Sequence, residues 1–199
     1  MQSFSTTLFA DADAEYGSAD YVLFGVPFDG TTSFKAGCRD APLAIRQVSY
    51  NIETYLPYYD LEMTDVSVHD MGDMYVECLP DLMVEQVADA VCDLIKDEKI
   101  PIMMGGEHSV TVGAVQALKP KWYVVCDAHL DMQDEYRGSP FNHDCVTARV
   151  SETVENIVII GARSGCQEEF SYAREHYHLY TADEVEERGI RDVLDEVSG

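Results

Sequence analysis

Positive charge is scarce in this chain. Thirteen lysines and arginines stand against 37 aspartates and glutamates, a formal net charge of −24 over 199 residues, and only five of the cations are lysines. Such a surface repels nucleic acid and anionic membranes, which excludes both as partners. A small cationic substrate would be attracted, although a general adaptation to a salt-rich cytoplasm is the simpler account of the charge. No apolar run approaches the roughly 18 residues of a membrane span. The N-terminus lacks a signal-peptide pattern, so a cytoplasmic location is expected. The six cysteines, at 38, 78, 92, 126, 145 and 166, form no C-x-x-C. Several lie within apolar runs, which predicts reduced core thiols rather than a disulfide framework. Repeats, low-complexity tracts and linkers are absent, and the length suits one domain over residues 1–199, large enough to bury a core.

What is present is an alternation of β and α patterns. Strands are predicted at Tyr21–Val26, Val66–His69, Ile102–Met104, Trp122–Cys126, Ile157–Ile160 and His178–Tyr180. Helices are predicted from Pro42 to Ile52, with Pro42 in the first turn, and at Val110–Leu118, His143–Val150, Glu168–His176 and Asp183–Arg188. Met83, Val84, Val87, Ala88, Val91, Leu94 and Ile95 trace a 3.6-residue stripe, the mark of an amphipathic helix ending before Pro101. This order implies an α/β fold, three-layer α/β/α around a mainly parallel sheet with helices on both faces. The tyrosine-rich segment Tyr55–Tyr59 reads as a packed surface loop.

Two fragments carry the chemistry. Trp122–Cys126 has the continuous apolar character of a central parallel strand, and Asp127-Ala128-His129-Leu130-Asp131 follows it. In extended backbone the side chains at 127, 129 and 131 share one side. Two carboxylates and an imidazole would then converge at a strand's C-terminal end, where open α/β sheets place ligands. The second fragment, Met104-Gly105-Gly106-Glu107-His108-Ser109, repeats the plan: strand, glycine turn, polar residues, then a helix capped by Ser109. Nothing matches a zinc finger or a metzincin helix. A shared metal site is the better reading of the pair.

G-G-E-H-S followed by D-A-H-L-D resembles the ureohydrolases, the arginase and agmatinase family. Further matches are Val26-Pro27-Phe28-Asp29-Gly30-Thr31-Thr32-Ser33-Phe34-Lys35-Ala36-Gly37, Ala41-Pro42-Leu43-Ala44-Ile45-Arg46, the turn-like Asp70-Met71-Gly72-Asp73, and Asn142-His143. The resemblance implies a cytoplasmic, binuclear manganese enzyme, two Mn2+ per complete site, that hydrolyses a guanidino compound to urea and an amine. It also implies a homo-oligomer. His108 and Asp131 would bind one ion and His129 the other, with Asp127 bridging both. Asp131 would hold a bridging hydroxide, and His143 would act as proton shuttle or substrate-site residue; an imidazole gives and takes protons at cellular pH. The chemistry makes the metals intelligible. Guanidinium carbon is a poor electrophile, and a metal can lower the pKa of water to about 7.

One departure matters. The family's later S-x-D-x-D-x-x-D-P motif has no counterpart, for no D-x-D follows residue 131. Two divalent ions about 3.5 Å apart repel by roughly 19 kcal/mol at an effective dielectric of about 20. Without those carboxylates the second ion is poorly held and the sheet is left with raw edges, as in a fragment of a longer enzyme. The segment after D-A-H-L-D lacks the S-x-N-x-H-G pattern by which arginases hold an α-carboxylate and offers Asp134 and Glu135 instead. Agmatine, cleaved to putrescine and urea in polyamine biosynthesis, is therefore the first reading. Arginine or a guanidino acid is the alternative, with Arg137 as its possible partner. A mononuclear hydrolase using His108, Asp127 and His129, and a non-catalytic paralogue acting in assembly, are the readings from other classes.

Overall fold

Val22 to Val26 are buried in unbroken succession, as a strand in mid-sheet requires. That strand is β1 (Tyr21–Val26). It is followed by α1 (Ala41–Ser49), β2 (Tyr55–Leu56), β3 (Leu61–Glu62), β4 (Val68–Asp73), α2 (Pro80–Lys96), β5 (Ile100–Gly105) and α3 (Val110–Leu118). Then come β6 (Trp122–Cys126), α4 (Val146–Ser151), β7 (Asn156–Ala162), α5 (Gln167–His176), β8 (His178–Thr181), α6 (Ala182–Arg188) and α7 (Ile190–Ser198). The structure is a computed structural model that describes residues 7–198. Contacts divide it into two compact units, Met1–Leu118 and Lys119–Gly199. No described helix is long and apolar enough to cross a membrane.

In the first unit β1 lies between β4 and β5, all parallel. Helix α2 starts on Pro80, whose missing N–H costs nothing in a first turn. It buries Met83, Val84, Val87, Val91 and Leu94 of the expected stripe, while Ala88 is half-buried and Ile95 exposed at its edge. At roughly 1.5–3 kcal/mol each, those side chains outweigh any propensity term in holding the helix. Gly113 of α3 lets the two helices meet: a Cβ there would lie 2.4 Å from the Val84 carbonyl oxygen. Ala12, Leu23 and Val68 form the centre of a core cluster joined by Phe9, Tyr21 and Met104.

Helix α1 contributes something other than apolar surface. Arg46, with no exposure, donates from Nε (2.7 Å) and Nη2 (2.8 Å) to the two Asp70 oxygens and pairs through Nη1 with Asp73. Asp70 also accepts the Gly72 N–H at 2.8 Å and the Phe9 N–H at 2.7 Å. The D-x-G-D segment therefore lies within strand β4 and is not a turn. Four donors on Asp70 and a second carboxylate on Arg46 avoid the penalty of an unpaired interior charge. Tyr55 and Leu56 pair antiparallel with Glu62 and Leu61, so the tyrosine segment is a small exposed hairpin and not a packed loop.

In the second unit β7 lies between β6 and β8, again parallel. Val158, Ile160, Tyr180 and Val193 form its core cluster, with Val185 and Val197 packed on it. Helix α7, which brings in Val193, has no counterpart among the predicted elements. Its Ile190, Val193, Leu194 and Val197 stand at i, i+3, i+4 and i+7, an amphipathic stripe that the sequence reading passed over.

Two expectations need correction. Strand β6 hydrogen-bonds to β7 alone among the described residues, so it is an edge of its sheet, and Trp122 and Val124 are exposed. Apolar content measures how much cover a strand can use, not how much it receives. Strand β5 is likewise an edge, with Ile100 and Ile102 exposed. The cysteines are all free, but only Cys145 is buried, while Cys78, Cys126 and Cys166 are exposed.

Candidate functional site

Strand β6 ends at Cys126, and the chain then turns instead of remaining extended. The Asp127 carboxylate accepts the His129 N–H at 2.8 Å, closing a local turn of the kind aspartate favours, and lies 3.3 Å from His129 Nδ1. Asp131 takes φ 51°, in the left-handed region that aspartate tolerates better than most residues. The turn is fixed along its length. Asp127 N–H donates to the Ile160 carbonyl at 3.1 Å, and Arg163 and Ser164 N–H donate to the Ala128 carbonyl at 2.8 and 3.0 Å. The Asp131 carbonyl accepts the Thr147 and Ala148 N–H groups of the first turn of α4 at 2.9 and 3.3 Å.

This geometry revises the alternation argument. Asp127 and Asp131 each bring a carboxylate oxygen within 4.8 Å of the other. His129 is outside that group and its side chain is 61% exposed. Turning the backbone, rather than extending it, brings the outer two carboxylates together and leaves the His129 ring against Asp127, with Nδ1 at 3.3 Å. Burial pushes the Tyr123 phenol up, and the Asp131 and Asp127 charges push the same way. The Asp144 carboxyl is pushed up from its ordinary value by burial first, then by Asp131; His143 opposes that rise.

His143 opens a short 3-10 helix, His143–Cys145, that runs into α4. Buried Asn142 caps it, accepting the Asp144 N–H at 3.3 Å and donating to the Tyr136 carbonyl at 3.3 Å. The His143 ring stands edge-on to Tyr136 with centroids 6.2 Å apart. The acidic segment is less acidic than its sequence: Asp134 pairs with Arg149, which also bridges Glu152 at 2.9 Å. Glu135 and Arg137 remain exposed, and the Arg137 guanidinium lies 5.3 Å from the Tyr136 ring centroid. A cavity of about 590 Å³ lies beside this segment, lined among others by Gln133, Asp134, Arg149, Glu169 and Tyr172.

In the first unit His108 sits in the turn between β5 and α3, partly buried. Its neighbour Glu107, which sequence reading left without a role, is a buried acceptor. It takes the Thr31 N–H at 2.9 Å, the Thr31 hydroxyl at 2.5 Å and the Ser109 hydroxyl at 2.6 Å. Gly106 permits the approach, since a Cβ there would lie 2.0 Å from the Phe28 carbonyl oxygen. The loop after β1 is further held by Asp29, which accepts the Gly37 N–H at 2.7 Å and Arg39 Nε at 2.5 Å. The Arg39 guanidinium keeps the Asp29 carboxyl below its ordinary value. The hydroxyl-rich loop 31–33 facing a G-G-E-H-S turn was the available signal.

A parallel α/β protein whose strand ends present carboxylates and imidazoles is the class these features define. The arginase family model matches residues 19–199, and the chain belongs to that family. It is 48% identical over 160 residues to the N(1)-aminopropylagmatine ureohydrolase of Thermococcus kodakarensis, covering 79% of this chain and 56% of the relative. The agmatinase of Pyrococcus horikoshii is 44% identical over 161 residues, covering 78% and 56%. The agmatine ureohydrolase structure from Thermoplasma volcanium superposes with TM-score 0.90 at 38% identity, over 98% of this chain and 68% of that one. The mainly parallel, arginase-like α/β fold expected from the sequence is therefore shown. The chain spans a little over half the length of these two curated relatives.

Proposed function

We propose that this chain is part of a manganese-dependent ureohydrolase that cleaves agmatine, or an agmatine carrying a further amine, to urea and a polyamine. The observation that carries the reading is the Asp127–Asp131 pair, two carboxylate oxygens within 4.8 Å in a backbone turn. Two such charges repel unless a cation joins them. The fit to the metal is chemical: D-A-H-L-D and G-G-E-H-S offer oxygen and imidazole donors without thiolate, which suits manganese better than structural zinc. His108, Asp127, His129 and Asp131 would hold it. When bound, the metal would supply a water acidified toward neutral pH and a positive field at the reacting carbon.

The remaining work belongs to the chain's own groups. Asp131 orients the attacking water by accepting its hydrogen bond, and its backbone, held by Thr147 and Ala148, keeps that acceptor in place. His143 carries a proton toward the departing amine, its ring braced by Tyr136. Glu135 favours a cationic tail and opposes an α-carboxylate, now without the full help of Asp134, which Arg149 neutralises. The relatives from T. kodakarensis and P. horikoshii, an N(1)-aminopropylagmatine ureohydrolase and an agmatinase, support the same substrate class.

Urea release with saturating manganese tests the reading, on this chain and on the same chain lengthened through an S-x-D-x-D segment. The longer form should prefer agmatine to arginine by roughly tenfold to 150-fold in kcat/KM. The 199-residue chain should release urea negligibly. Arginine preferred in the longer form removes the substrate assignment; no turnover of any guanidino compound removes the activity.

A further inference from the structure

The loop that follows β1 is tied at its root and bare at its tip. Asp29 accepts the Gly37 N–H at 2.7 Å, which brings the ends of loop 29–37 together. The Thr32 hydroxyl donates to the Asp29 carbonyl at 3.2 Å, and a Cβ on Gly30 would lie 3.2 Å from the Cys78 carbonyl oxygen. Loops whose ends meet in this way are compact and frequently functional. Phe34 stands at the tip, 99% exposed, and no other large apolar side chain among the described residues is so open to solvent. A phenyl ring left in water forgoes the burial it favours. Because the backbone on both sides is anchored, the exposure is built into the loop. A single exposed apolar residue needs no explanation by itself, so its position decides.

Strands β1, β4 and β5 are parallel, so the loops after them gather at one end of the sheet, the end at which open α/β sheets take ligands. Thr31 gives both its N–H and its hydroxyl to Glu107, the residue before His108. Phe34 lies three residues further on, at most about 11 Å of chain from that lock. A guanidino group brought to the turn of His108 carries its polymethylene chain with it, and that chain is apolar along its length. No group assigned so far covers it. We propose that Phe34 is the specificity-determining contact for the aliphatic chain of the substrate, an inference that rests on the ureohydrolase reading. A ring already held in place loses little freedom when the chain settles on it.

Calorimetric affinity and urea release together test this, on the manganese-loaded chain lengthened through an S-x-D-x-D segment. Affinity for linear alkylguanidines, from methyl to pentyl, should rise by roughly twofold to fourfold for each methylene. In Phe34→Ala that dependence should flatten, and KM for agmatine should rise roughly tenfold while kcat stays within about twofold. Phe34→Leu, which keeps an apolar contact, should recover most of the loss. Tyr59→Ala removes an aromatic ring, 71% exposed, from the β2–β3 hairpin and should change neither readout. A chain-length dependence that survives in Phe34→Ala, a fall in kcat in place of the rise in KM, or the same loss in Tyr59→Ala would each overturn the proposal. Chain-length-dependent binding through Phe34 without urea release would remove the activity and leave the contact standing. Failure to bind any alkylguanidine would overturn both.

Discussion

Arg46 and Asp29 show how differently two ion pairs in one unit behave. Arg46 is wholly buried with two carboxylates, and its role is to pin α1 to β4. Asp29 is buried, but its partner Arg39 is 57% exposed, so the pair responds to solution conditions. Arg39 lowers the Asp29 pKa in the folded chain from its ordinary 3.8. A depressed acid stabilises the fold above its unfolded value, and that contribution is lost as pH falls through the folded one. Arg39→Gln should therefore lower Tm at neutral pH, and its gap to the parent should close below about pH 4. Melting curves from pH 7 down to about pH 2.5 check this; a gap that is constant, or that widens in acid, contradicts the assignment.

Between elements, Glu107 joins the turn after β5 to the loop after β1 through three accepted hydrogen bonds. Removing the acceptor leaves the Thr31 N–H and two hydroxyls without their buried partner. Glu107→Ala should cost about 2–3 kcal/mol, and Glu107→Gln, which keeps one oxygen, about half of that. Amide exchange at Thr31 should accelerate strongly in the alanine variant and less in glutamine. Equal protection in all three proteins would mean the loop is held by other contacts. Element positions themselves were largely readable: β1, β6 and the helix stripe of α2 announced themselves by apolar runs and period. The hairpin β2–β3 did not, because two-residue strands carry no period to read; α7 was legible in the i, i+3, i+4, i+7 spacing of Ile190, Val193, Leu194 and Val197 and was passed over.

For the whole chain the consequential facts are its family and its span. It covers 56% of its T. kodakarensis relative. Manganese should raise Tm, by about 2.7 kcal/mol of stabilisation at about 100 times the dissociation constant, and a chelator should reverse it. Asp131→Asn should abolish most of that rise. A stoichiometric zinc site of equal strength in parent and Asp131→Asn chains would defeat the manganese reading.

The order of most elements, the parallel α/β class and the family-bearing segments D-A-H-L-D and G-G-E-H-S were present in the residues alone, because period, glycine placement and motif spacing are local properties. The arrangement of the site was not. Extended backbone after Cys126 would have aligned Asp127, His129 and Asp131, whereas the folded turn, set by Asp131 at φ 51° and by hydrogen bonds from Arg163, Ser164, Thr147 and Ala148, brings the two carboxylates within 4.8 Å and rests the exposed His129 ring on Asp127. Those partners lie tens of residues away for β7 and some sixteen away for α4, a separation no local pattern encodes. The same holds for α1, whose apolar residues point outward because a buried arginine had to meet Asp70 and Asp73 on another strand.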